Sequence, residues 1–191
     1  MSQKMVAIGS GALLVVAIAV AAIWYGTHPQ QSAQLQNASK TQALPTLAIG
    51  MKAPEFAAAT TAGSFDLAKT KQPVLLEVFA TWCPHCQRET NVLDKLFAQY
   101  GGKIAFVAVS GSDTAMDGSS PASQADVLTF AQKFGVRYPI AYDGDRRVFG
   151  LYQQGGYPTF VVIGKDRTIT YANSGEIAYD DLATELQKVL K

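Results

Sequence analysis

The chain has 191 residues, enough for one domain of ordinary size with an appendage but too few for two full domains. It carries 16 basic and 15 acidic residues, a net charge of +1, and no block of like charge, so the composition argues against nucleic acid as a partner. Only two cysteines and two histidines are present, which excludes a disulfide-dense scaffold and predicts no Cys/His metal site.

The beginning of the chain is strongly apolar. Residues 5–25 carry no charge and follow Lys4, and at about 1.5 Å per helical residue they are long enough to cross the roughly 30 Å core of a bilayer. The positive-inside rule keeps the amino terminus in the cytoplasm. We therefore expect residues 1–25 to be a single-pass transmembrane helix of the inner (cytoplasmic) membrane, with the rest of the chain on the extracytoplasmic (periplasmic) side. A cleaved signal peptide is the alternative, because Ala19-Val20-Ala21 has the small–x–small pattern of a cleavage site.

Two further regions follow this predicted anchor. Residues 26–47 are polar, rich in Gln, Ser, Ala and Asn, and lack apolar periodicity, which predicts a flexible linker. From residue 48 to residue 191, strand-like and helix-like patterns alternate. This alternation predicts an α/β domain in which helices flank a β-sheet.

The predicted elements of the domain begin with a hairpin or irregular strand from Phe56 to Leu67, around the Ala62-Gly63 turn. Residues 73–80 are almost continuously apolar, which indicates a central strand buried on both faces. A helix begins near Pro84 and stops at Gly101-Gly102. The remaining predictions are a strand at 103–110, a polar loop at 111–122, a helix at 123–134, a turn at 143–145, a short helix at 147–152, a strand at 159–163, a turn at 164–167, a strand at 168–171 and a helix at 179–190.

Both cysteines lie in one motif, Cys83-Pro84-His85-Cys86, between the central strand and the helix that follows it. A thiolate is the species that attacks a disulfide, and the free N–H groups and dipole of a helix N-terminus favour this form of Cys83. The spacing places Cys86 within bonding reach, so Cys86 can resolve a mixed disulfide. His85 can be cationic or donate a hydrogen bond, and either would stabilise the thiolate further. We predict a redox-active Cys83–Cys86 disulfide that needs no other cofactor.

Two non-redox interpretations of the motif are weaker. A structural disulfide that closes only four residues contributes about 2 kcal/mol on the loop-entropy model, so such a crosslink would do little. A metal site needs three nearby protein ligands, and His85 is the only histidine of the domain.

A second motif adds a resemblance to a known family. Residues 78–86, Val-Phe-Ala-Thr-Trp-Cys-Pro-His-Cys, together with Gly156-Tyr157-Pro158-Thr159-Phe160, resemble the thioredoxin superfamily, and most of all its membrane-anchored TlpA/ResA-like branch. The resemblance runs from residue 48 to residue 191 and implies a thioredoxin-like fold with a central mixed β-sheet. It also implies that Pro158 follows a cis peptide bond and faces the two sulfurs, and that the backbone at Tyr157 pairs with an extended substrate segment.

The resemblance assigns roles to two more residues. Glu77 lies six residues before Cys83 and matches the buried acid that assists proton transfer at the resolving cysteine. Burial in an apolar strand would raise its pKa, whereas an edge-facing or paired glutamate is the alternative. Trp82 is expected to be a surface aromatic beside the reactive sulfur that contacts substrate, or else a packing residue.

These features predict an extracytoplasmic enzyme that exchanges disulfides with protein thiols and works with a membrane redox partner. A TlpA-like disulfide reductase is the first interpretation. An oxidase that donates disulfides to exported proteins is the second, because the Pro84-His85 dipeptide resembles that of the periplasmic oxidase DsbA. A copper-delivery protein is disfavoured, because by resemblance the thioredoxin-like kind needs Cys-x-x-x-Cys and a distant histidine, whereas here the spacing is one residue shorter and no histidine follows His85. A peroxiredoxin is disfavoured as well, because by resemblance that family needs a Pro-x-x-x-Thr-x-x-Cys loop, which neither cysteine has. A non-catalytic adaptor is disfavoured by the intact pair Cys83 and Cys86.

Overall fold

The computed structural model describes residues 47–191, so the predicted anchor at residues 1–25 and the linker up to residue 46 lie outside the described residues. Within residues 47–191, no helix combines the length and apolarity needed to cross a membrane. The strands are β1 (Ala57–Thr60), β2 (Gly63–Asp66), β3 (Val74–Phe79), β4 (Ala105–Ser110), β5 (Ile140–Tyr142), β6 (Thr159–Ile163) and β7 (Ile169–Ser174). The helices are α1 (Pro84–Tyr100), α2 (Gln124–Phe134), α3 (Arg147–Tyr152) and α4 (Tyr179–Lys188).

The seven strands form one mixed sheet in the order β2-β1-β5-β4-β3-β6-β7. The central strand β3 pairs in parallel with β4 and antiparallel with β6, and β4 pairs in parallel with β5. The outer strands β1, β2 and β7 are added by antiparallel pairing. This arrangement confirms the predicted α/β architecture with a mixed sheet and places β3 where the apolar run indicated.

A hydrophobic core covers each face of the sheet, because successive side chains of the central strands point to opposite sides. One face packs against α1, α2 and α4 through apolar residues that include Leu75, Phe79, Leu93, Phe130 and Leu182. The other face packs against α3 and the segment that leads into β1, through residues that include Leu76, Val78, Val148, Tyr152 and Phe56. All six residues of β3 are buried, so the packing of this strand fixes where the segment that begins at Ala80 leaves the sheet.

One strand and one loop differ from expectation. Strand β5 was not predicted, because it is only three residues long and too short to show a periodic pattern. Its parallel pairing with β4 makes β4, α2 and β5 a complete crossover unit. The loop at 111–122 has the Ser, Gly and Asp content of a solvated segment, yet Gly111, Ser112 and Ala115 are buried.

Candidate active site

The Cys83-Pro84-His85-Cys86 motif lies at the junction of β3 and α1, as predicted. Cys83 is the N-cap residue of α1, with an extended backbone at φ −74° and ψ 118°, and Pro84 occupies the first helical turn, where its missing N–H costs no hydrogen bond. No side chain caps the helix N-terminus. The first turn also lacks an acidic residue, so the helix dipole acts on the Cys83 sulfur without a competing carboxylate in that turn.

The Cys83 sulfur faces the segment that precedes β6. Its Sγ donates to the carbonyl oxygen of Tyr157 at 3.8 Å, and the peptide bond between Tyr157 and Pro158 is cis, as the resemblance implied. Cys83 is only 4% exposed, less than the open access that disulfide exchange requires. Trp82 is 39% exposed and meets the Tyr157 ring edge to face at 6.0 Å.

Cys86 lies deeper than Cys83 and is 1% exposed. Burial raises the pKa of the Cys86 thiol, and the negative charge of Glu77 raises it further. Both cysteines are free thiols. Cys86 therefore holds its proton until a nearby group accepts it, which is the behaviour expected of a resolving cysteine.

Glu77 lies on the central strand, on the side that faces α1, and is 3% exposed. Burial raises the pKa of its carboxyl group well above the usual value, and the charge of Glu89 adds to the rise. Its Oε1 is buried without a hydrogen-bond partner, in a pocket lined by apolar residues and Tyr138. An unpaired buried carboxyl oxygen costs about 1–3 kcal/mol, so its retention beside a reactive thiol favours a chemical role. The edge-facing or paired glutamate is not what the structure has.

The site contains a second buried acid, Glu89, that was not predicted from the sequence. It lies three residues after Cys86 on the same side of α1, is 3% exposed, and its Oε1 accepts from the N–H of Ile177 at 2.9 Å. Burial raises the pKa of Glu89, while its other oxygen, Oε2, has no partner. The spacing from Cys86 was the available signal, because residues three apart share a helix face.

His85 lies at the protein surface beside the motif, with its side chain 56% exposed. Its Nδ1 is 3.2 Å from an oxygen of Glu176 and 2.8 Å from Nη2 of Arg88, while Arg88 Nε also pairs with Glu176 at 2.5 Å. These contacts lower the pKa of Glu176, with Arg88 as the larger cause. The carboxylate of Glu176 therefore offsets positive charge on the side of the site where His85 was predicted to stabilise the thiolate.

The site thus brings together most of the residues that the sequence singled out. Cys83 and Cys86 form one buried thiol pair, and Glu77, Trp82 and Tyr157 lie around it. Pro158 is buried next to Tyr157. His85 lies at the outer rim. Over residues 47–191, no group of three or more His, Cys, Asp or Glu side chains is placed to hold a metal ion.

A CxxC motif on a helix N-terminus, opposite a cis-proline segment and above a buried acid, defines a thioredoxin-like thiol-disulfide oxidoreductase. Comparison with known proteins agrees. Residues 49–172 match the AhpC/TSA family, and the chain belongs to this family.

Two curated relatives are similar over about three quarters of this chain. The chain is 27% identical over 144 residues to the thiol-disulfide oxidoreductase ResA of Bacillus thuringiensis (strain Al Hakam), covering 74% of this chain and 78% of ResA. It is 30% identical over 140 residues to the thioredoxin-like protein YneN of Bacillus subtilis (strain 168), covering 72% of this chain and 78% of YneN.

Solved structures share the fold. A thiol:disulfide interchange protein DsbE from Chlorobium tepidum superposes with a TM-score of 0.64 at 23% identity, over 76% of this chain and all of that one (100%). StoA from Bacillus subtilis superposes with a TM-score of 0.58 at 18% identity, over 69% of this chain and 96% of StoA. The predicted thioredoxin-like fold is confirmed.

Proposed function

We propose that this oxidoreductase acts outside the cytoplasm as a TlpA-like reductase of protein disulfides, with Cys83 as nucleophile and Cys86 as resolving thiol. The observation that carries the proposal is the contrast between the two sulfurs. Cys83 caps a helix beside the carbonyl of Tyr157, whereas Cys86 is buried over Glu77 with its proton held tightly.

The proposed reaction follows from this geometry. The Cys83 thiolate attacks one sulfur of a client disulfide, the client S–S bond breaks, and the second client sulfur leaves as a thiolate that takes up a proton. Cys86 then transfers its proton to the carboxylate of Glu77 and attacks the Cys83 sulfur. This step releases the first client sulfur as a thiolate, which is protonated in turn. The client gains two electrons, and the protein ends as the Cys83–Cys86 disulfide.

The state of Cys86 favours the reducing direction. A strong oxidant is one whose reduced form is stabilised, and thiolate formation is a common source of that stabilisation. Here burial and the charge of Glu77 both disfavour a thiolate at Cys86. The dithiol form therefore gains little from ionisation of Cys86, and this supports electron donation to clients.

The oxidase alternative is supported by a different feature, the basic side chains of Arg88 and His85 at the motif. Arg88 lies one turn into α1 and His85 stands between the cysteines, so both can stabilise a Cys83 thiolate. Glu176 pairs with both side chains and offsets this charge. We therefore place the oxidase second.

The reduction potential of the full-length chain, equilibrated with glutathione, separates these directions. A potential near about −270 mV or lower supports the reductase, and one near about −120 mV supports the oxidase. Cys83→Ser should abolish exchange, whereas Cys86→Ser should accumulate the mixed disulfide. Retained turnover by Cys83→Ser would remove the proposed chemistry altogether.

The proposed location rests on the sequence of residues 5–25, with 26–47 as the linker and 48–191 as the domain. A periplasmic reductase also needs electrons from a membrane redox partner, because that compartment is oxidising. Protease added to right-side-out membrane vesicles should digest the domain, and inverted vesicles should protect it. Protection in right-side-out vesicles would contradict this orientation.

A further inference from the structure

The loop at 111–122 holds the two aromatic side chains beside Cys83, those of Trp82 and Tyr157. The Trp82 indole Nε1 donates to the Ser112 hydroxyl at 2.7 Å, and the Tyr157 hydroxyl donates to the carbonyl of Gly111 at 2.9 Å. Two consecutive loop residues therefore set the directions of the two rings beside Cys83.

The loop is fixed internally by its own hydrogen bonds. Asp117 Oδ1 accepts from the N–H groups of Ser119 and Ser120, each at 2.8 Å. The N–H of Ala122 donates to the carbonyl of Asp113 at 2.8 Å, which closes the loop at its base. The N–H of Ala115 also donates to the carbonyl of Ser120 at 2.8 Å, so two bonds join the arms of the loop, and we expect a displacement of Met116 to shift Gly111 and Ser112 as well.

A single carboxylate joins this loop to the active-site turn. Asp126, in the first turn of α2, accepts through Oδ2 from the hydroxyl of Thr81 at 2.6 Å and through Oδ1 from the N–H of Met116 at 2.8 Å. Thr81 is fully buried two residues before Cys83, and Met116 packs against the core. One oxygen of Asp126 thus binds the β3–α1 turn and the other binds the loop, so the carboxylate connects the two segments.

We infer that Asp126 is a positioning residue for client recognition, which fixes the loop and through it the orientation of Trp82 and Tyr157. The inference rests on the proposed exchange with protein disulfides. The hydrogen bonds of Asp126 reach neither sulfur, so its removal changes how a client chain is received and leaves the intrinsic reactivity of Cys83 almost unchanged.

The test compares two disulfides that differ only in whether a peptide chain is present. The reduced full-length protein is mixed with oxidised glutathione, or with a short synthetic peptide whose one cysteine is joined to glutathione. Acid quenching and mass spectrometry give the two second-order rate constants. Asp126→Ala should lower the rate with the peptide by about tenfold, the cost of one strong hydrogen bond, and the rate with glutathione by less than about twofold.

Two further variants separate positioning from a general loss of stability. Asp126→Asn preserves the shape and one acceptor oxygen, so it should restore the peptide rate to within about threefold of wild type. Asp180→Ala removes an exposed aspartate from the first turn of α4 and should leave both rates unchanged, because it makes the same change in helix charge away from the site.

Three results would count against the inference. If Asp126→Ala lowers both rates equally, Asp126 acts on the sulfur chemistry or on stability and the inference is wrong. If neither rate changes, the loop does not depend on Asp126. A wild-type protein that exchanges with neither disulfide overturns the proposed function itself. If the wild type exchanges with both, the proposed function stands even when the Asp126 variants contradict the inference.

Discussion

Glu77 on β3 and Glu89 on α1 are two buried carboxyl groups close enough that the charge of Glu89 raises the pKa of Glu77. Glu77 Oε1 and Glu89 Oε2 are both buried without a hydrogen-bond partner. Two carboxylates in one apolar region disfavour simultaneous ionisation, so one of the two acids is expected to hold a proton, and Glu77 accepts the proton of Cys86 when it is the ionised member of the pair. The chemistry of the resolving thiol therefore depends on both acids.

Replacing Glu77 by Gln removes the proton acceptor proposed for Cys86. We expect the second step of exchange, release of the client from Cys83, to slow by on the order of a hundredfold, the usual contribution of a general base. The first step should change little, because it depends on Cys83. Quenched-flow alkylation should show accumulation of the mixed disulfide. Equal rates for both steps in Glu77→Gln and wild type would exclude Glu77 from the proton transfer.

The same substitution should change how stability depends on pH. Because the folded-state pKa of Glu77 lies above the ordinary glutamate value of 4.5, the folded chain binds this proton more tightly than the unfolded chain. Stability from Glu77 is therefore fully present below pH 4.5 and is lost as pH rises through the folded pKa. Glu77→Gln should gain on wild type by up to about 1.4 kcal/mol per pH unit within that window.

Urea denaturation of the full-length chain at a series of pH values measures this difference. The comparison at about pH 2.5 is the control, because side chain 77 is then almost fully neutral in both proteins and in both states. Parallel stability curves across the whole range would show that Glu77 titrates normally, contrary to its burial.

Glu89 is expected to stabilise the loop between β7 and α4 by accepting from Ile177. Glu89→Ala leaves that N–H without its partner and should lower the free energy of unfolding by about 1–3 kcal/mol. Glu89→Gln keeps an acceptor oxygen and should cost much less. Hydrogen exchange at the Ile177 amide measures the local effect, and equal protection in the Ala and Gln variants would contradict it.

Gly111 is a steric requirement where β4 leaves the sheet. A Cβ at this position would lie 2.6 Å from the Cβ of Phe149, whose ring packs 5.8 Å from that of Tyr157. We expect Gly111→Ala to destabilise the protein by about 1–3 kcal/mol, as overpacking does. Gly102→Ala is the matched control, because no atom lies within 4 Å of the added Cβ and the change should stay within about 0.5 kcal/mol. Thermal unfolding of the two variants compares them directly, and equal midpoints would show that Phe149 yields without cost.

The sequence by itself was sufficient for the local parts of this protein. The apolar run of β3, the proline after Cys83 and the glycines after Tyr100 each act within a few residues, so pattern and turn chemistry predicted the strand, the helix and its ends. The CxxC spacing predicted the redox pair for the same reason, because two sulfurs on one helical turn need no other element to meet.

Tertiary structure alone decided the roles that depend on distant contacts. In the sequence Glu89 is an ordinary helical glutamate, and only the folded structure shows that the N–H of Ile177, 88 residues later, donates to it. The composition of the loop at 111–122 predicts a solvated segment, and only the folded structure shows that Asp126 connects it to Thr81, which lies 45 residues before Asp126. Burial and hydrogen-bond partners of this kind arise from the packing of separate elements. No local pattern encodes them, because each partner looks unremarkable in its own segment of the chain.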